Sequence, residues 1–122
     1  MNSIRLLLIL AMLFTFVLPG CYYDNEEELY GNNCDTTNVT FSLSVKPIID
    51  GSCNSCHSTI SAQGGIVLDN HTALKGFADS GQLSGAINHQ TGYSAMPKGG
   101  AKLSDCSISI IDKWIADGSP NN

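Results

Sequence analysis

Positive charge is scarce in this chain, with six lysines and arginines against eleven acidic residues in 122 positions. The arginine, Arg5, lies at the very start. Beyond it, only Lys46, Lys75, Lys98, Lys102 and Lys113 oppose all the acidic residues, a formal −6. Nucleic acid demands a basic surface, so this balance excludes that partner. Docking on anionic lipid by charge goes with it. The remaining use of an acidic surface is solubility or a basic partner. Long hydrophobic runs are also missing. Leu6 to Leu18 makes a run of 13 residues, short of the roughly 20 that span a bilayer as a helix. There are no internal repeats, strand signals are few, and no alternation of strand and helix patterns suggests a parallel sheet.

The short run has a different use. Arg5, an apolar stretch and the Pro19-Gly20 break make residues 1–20 a secretory signal peptide. Its end, "LPGC", resembles a bacterial lipobox, in which Cys21 becomes the lipidated first residue of the mature chain. Several acyl chains anchor stably where one barely does. Residues 21–40 are polar, with Asp24 and Glu26 to Glu28, and read as the tether between lipid and domain.

The domain is expected over 41–122 and all-α, with about four short helices and long loops. Ser44 is the expected cap of the first helix, with Pro47 early in it and Val45, Ile48 and Ile49 on one face. Asn70 caps a second helix that turns Ala73, Leu74 and Phe77 inward, and a third presents Leu83, Ala86 and Ile87. His71 reads as a surface residue at a helix start. Ser104, Asp105, Gly118 and Pro120 bracket the last helix, whose buried stripe is expected at Cys106, Ile110, Ile111, Trp114 and Ile115. So small a domain buries little apolar surface, and needs a staple or a large apolar guest.

Five cysteines divide by task. Cys21 goes to lipid, and Cys53 and Cys56 belong to "CNSCH". Cys34 and Cys106 are left over, and an oxidising compartment favours pairing them. A bridge over 72 positions constrains the unfolded chain by roughly 4 kcal/mol.

"CNSCH" admits three chemistries. Structural zinc needs four ligands, and no second close pair joins Cys53 and Cys56; His71, His89 and Cys106 are scattered. Thiol–disulfide exchange usually places its first cysteine at a helix start after a strand, whereas a helix precedes this motif. C-x-x-C-H is the attachment signature of c-type haem. Its spacing lets Cys53 and Cys56 form thioethers with two vinyl groups while His57 offers a nitrogen to the iron. Attachment outside the cytoplasm agrees with the signal peptide.

A second axial ligand is then required. Of three methionines, Met1 and Met12 fall in the leader, which leaves Met96 in the glycine-rich "GYSAMPKGG", stiffened by Pro97. A thioether sulfur favours reduced iron and raises the potential. His89 is the alternative ligand and would lower it.

With these residues in hand, the chain resembles a small monohaem class I cytochrome c of the bacterial, lipoprotein-anchored sort, from about Val39 to Asp117. The resemblance implies N- and C-terminal helices crossing near one covalent haem c, with Cys53, Cys56 and His57 as attachment residues and Met96 as sulfur ligand. It also implies a core place near the haem for Trp114. No proline stands just after His57 to take its second ring hydrogen bond, and that partner is unassigned. The expected function is electron transfer in the periplasm or cell envelope, with redox proteins as partners and the membrane reached through the lipid. The alternatives are a gas sensor that displaces Met96, a peroxidase-like haem enzyme subunit with an open distal position, and a haem that only fills a core.

Overall fold

A computed structural model of the protein describes residues 34–122, which form one compact unit. The expected signal peptide and Cys21 lie outside the described residues. The described residues are helical and contain no strand. One π-helical turn, Phe41–Val45, runs into α1, Lys46–Ser52; then come α2, Asn54–His57, α3, His71–Asp79, α4, Gln82–Ile87, and α5, Asp105–Ala116. The four expected helices are present, and the added elements are the π turn, a 3-10 turn at Gln63–Gly65 and α2, the single turn that follows Cys53 in the C-x-x-C-H motif.

The first helix begins earlier than its sequence suggests. Thr40 is the cap: its hydroxyl accepts from Leu43 N, while Ser44 Oγ, the expected cap, accepts from Thr40 N. Pro47 explains the detour. It has no amide hydrogen, and in a regular helix its ring crowds the carbonyl four residues back. Just before it the chain winds wider, with Val45 N donating to Thr40 O and Lys46 N to Phe41 O, five residues back. Val45 and Ile49 are fully buried, as that face requires.

The expected tether gives up its last part to the domain. Val39 is in the core, and Cys34 is bonded to Cys106 with 5.3 Å between Cα atoms. The pairing expected from cysteine bookkeeping is therefore present, and it ties residues 34–40 to the start of α5. Replacing both cysteines by serine is expected to cost about 2–4 kcal/mol, read from urea unfolding.

Asn70 and Ser104 cap α3 and α5 as expected, each accepting from an amide three residues on. On α5 the buried stripe is Ile108, Ile111 and Trp114, with Ile110 and Ile115 at its margins. Cys106, expected in that stripe, is exposed: two residues before Ile108 in a helix, it lies nearly opposite the buried face, where it is bonded to Cys34. Helix α5 packs on the π turn and on α4. Trp114 stacks on Phe41 at 5.8 Å and meets His71 edge-on at 5.9 Å. Its indole N–H donates to Pro120 O, and His71 Nε2–H donates to Ser119 O, both helping to seat the chain after α5. His71 is thus half-buried and structural, because the turn after α5 folds back over it. The core is built from the π turn and α1 (Val45, Ile49), α3 (Leu74, Ala78), α4 (Leu83, Ile87) and α5. No described helix is long and apolar enough to cross a membrane.

Candidate functional site

On the surface of this helical frame is a cleft of about 930 Å³, near the upper end of the ~300–1,000 Å³ of ligand pockets. Cys53, Cys56 and His57 line it from α2 and its entry, and Met96 lines it from the loop after α4. Residues far apart in sequence therefore share one concavity. Ile66, Leu68, Phe77, Leu83 and Leu103 supply apolar lining.

Local hydrogen bonds hold the motif. Cys53 N donates to Ile49 O, and His57 N to Cys53 O, so α2 continues almost directly from α1. The His57 carbonyl accepts from Leu68 N at 2.7 Å, which folds the following loop back over the motif. Asp69 closes that loop by accepting from Thr59 Oγ1 and Thr59 N, both at 2.6 Å. Those bonds, the hydroxyl's first, hold the Asp69 carboxyl below the usual carboxylate range. A lowered folded-state value means the contribution is present at neutral pH and lost as pH falls through that value. Acid is therefore expected to release the Thr59 amide to hydrogen exchange, and Asp69→Asn to flatten that dependence.

The chemistry of the cysteines discriminates among uses. Cys53 and Cys56 are free thiols. Burial pushes the Cys53 thiol up, against the lowered value that a nucleophilic exchange cysteine needs. Among the described residues no three His, Cys, Asp or Glu side chains form a metal-binding group. His57 Nδ1 is buried and has no hydrogen-bond partner among them. An imidazole with one nitrogen enclosed in protein and its ring on an apolar cleft suits an axial ligand better than a solvated base. Two thiols, one imidazole and one thioether on one apolar cleft are the donor set that a covalent haem uses, and the residues fit that group.

Met96 is held by its backbone. Its N–H donates to Ala86 O at 3.1 Å, and its carbonyl accepts from His89 Nε2–H at 3.0 Å. His89, the alternative ligand, is exposed at a φ of 55° and is not among the residues lining the cleft. Trp114, expected near the haem, is likewise absent from the lining and packs in the core behind α3 and the π turn.

No family model, curated protein or solved structure matches this chain. The site therefore has to be read from its own geometry.

Sequence reasoning passed over Tyr93, which forms part of the cleft wall. Its ring lies flat on Gly85, where a Cβ would come within 2.5 Å of ring carbons. No real contact is that short, so only glycine admits the ring there. The readable signal was a glycine inside a short helix, a mark of close approach. Gly85→Ala is expected to destabilise by about 1–3 kcal/mol. Most of that cost should vanish in a Tyr93→Ala background, as a double-mutant cycle in urea can measure.

Proposed function

We propose that this protein is an exported, lipid-anchored, monohaem c-type cytochrome that carries electrons in a bacterial cell envelope. One observation carries the reading: Cys53, Cys56, His57 and the one methionine of the folded part line the same apolar cleft. When bound there, haem supplies an iron that cycles between two oxidation states. Every other task falls to the chain. If haem is bound, Cys53 and Cys56 would hold it by thioethers, and His57 would offer its imidazole nitrogen to the iron. The Met96 sulfur would be the second protein ligand and would favour the reduced state. Phe77, Leu83 and the other apolar residues keep water from the site, which also tunes the potential. His89 and Ala86 anchor the Met96 backbone.

The same reading places Cys21 at the membrane through its lipid, with redox proteins as partners. The decisive experiment is the mass of the full chain matured in a haem-attaching host, with its oxidised-minus-reduced visible spectrum. One covalent haem and a low-spin spectrum without carbon monoxide binding support an electron carrier. Absence of covalent haem overturns it, and rapid carbon monoxide binding to the unaltered protein moves the reading to a sensor or haem enzyme.

A further inference from the structure

Helix α4 ends in a loop that returns to it. The last carbonyls of a helix lack partners within it, and this loop supplies two. Gln90 N donates to Gly85 O at 2.9 Å, and Met96 N to Ala86 O at 3.1 Å. The segment 90–96 therefore leaves and rejoins α4 at neighbouring carbonyls. Between these pins Thr91, Gly92, Ser94 and Ala95 are exposed. Tyr93, at the middle, turns its ring back onto Gly85, where a Cβ would fall 2.5 Å from ring carbons. The Tyr93 hydroxyl lies 3.7 Å from the corresponding point at Gly81, one turn earlier. The ring thus runs lengthwise along a strip of helix that two glycines leave bare.

We propose that Tyr93 is a positioning residue for Met96: its ring, seated on Gly85, clamps the 90–96 loop to α4 and holds the sulfur at the cleft. The clamp itself stands on geometry, and its use rests on the electron-carrier reading. Hydrogen bonds of an exposed loop compete with water and net little each, so such a loop opens locally at low cost. Contact between the ring and the helix adds what the two amides alone do not supply. With the loop clamped, Met96 stays in place while the iron changes oxidation state. With it loose, the sulfur leaves the iron often and a gas can enter, as in a sensor. Tyr93 and Gly85 thus favour the carrier over the sensor, though neither is a ligand.

The test compares the full haem-loaded chain with Tyr93→Ala, Gly85→Ala and Tyr93→Phe, reading haem content by mass. Tyr93→Ala and Gly85→Ala should each speed Met96 amide exchange, and carbon monoxide binding to the reduced protein, roughly tenfold. Tyr93→Phe keeps the ring and should match the unaltered chain. Val39→Ala, a core variant outside the cleft, lowers overall stability without freeing the loop, and should leave both rates unchanged. Unchanged rates in Tyr93→Ala or Gly85→Ala overturn the proposal, as does an equal acceleration in Val39→Ala. A loss in Tyr93→Phe equal to that in Tyr93→Ala moves the task to the hydroxyl and overturns the clamp. Missing haem instead overturns the electron-carrier reading, and amide exchange in the unloaded chain still decides the clamp.

Discussion

Cys53→Ala/Cys56→Ala, matured beside a haem-attaching apparatus, is expected to leave the full chain at its apoprotein mass, while the unaltered chain gains one haem. The loss should be essentially complete, because both thioethers are gone and no other free thiol lies among the described residues. Each single variant keeps one thioether and should retain part of the haem with an altered spectrum. This result also separates the haem reading from a redox dithiol. The Cys53 thiol, pushed up by burial, is poorly suited to attack a disulfide at neutral pH. If the double variant loses a reversible disulfide couple and no haem was ever attached, the electron-carrier function falls.

The second large effect is expected at Met96. Met96→Ala removes the sulfur that favours reduced iron, and the potential should fall by a sizeable part of the ~0.8 V that axial ligands span. Carbon monoxide should then bind the reduced protein, which the unaltered protein is expected to resist. His89→Ala is the control. It removes the donor to the Met96 carbonyl without touching the sulfur, so it should loosen the loop and leave the ligand in place. Both variants together distinguish the two candidate ligands: unchanged ligation in Met96→Ala, lost only on further replacement of His89, would assign the sixth position to the histidine.

Helices were legible where local rules act alone. Asn70 and Ser104 are caps because their side chains reach amides three residues on, and that is a property of the tetrapeptide. The start of α1 was misread because Pro47 acts on the turn before it, moving the cap to Thr40. The Cys34–Cys106 pair was legible from counting, since export and the claims of other cysteines left these two. Its consequence was not. The bond sits on the outer face of α5, and Ile108, not Cys106, shares the stripe with Ile111 and Trp114. Trp114 is in the core as expected, but His71 was misplaced: the chain after α5 folds back through Ser119 and Pro120, and periodicity within a helix says nothing about that return.

The C-x-x-C-H motif belongs to the sequence by itself. Cys53, Cys56 and His57 are local, their spacing is covalent, and no folding can bring them apart. The same holds for the acidic composition and for the lone methionine of the folded part. Only the tertiary structure decided that Met96 shares a cleft with the motif, that Tyr93 lies on Gly85, and that His57 Nδ1 and Asn54 Oδ1 are both buried without partners. Each of these depends on how loops between helices close. Loop closure is set by contacts between distant residues, which no local period in the chain records.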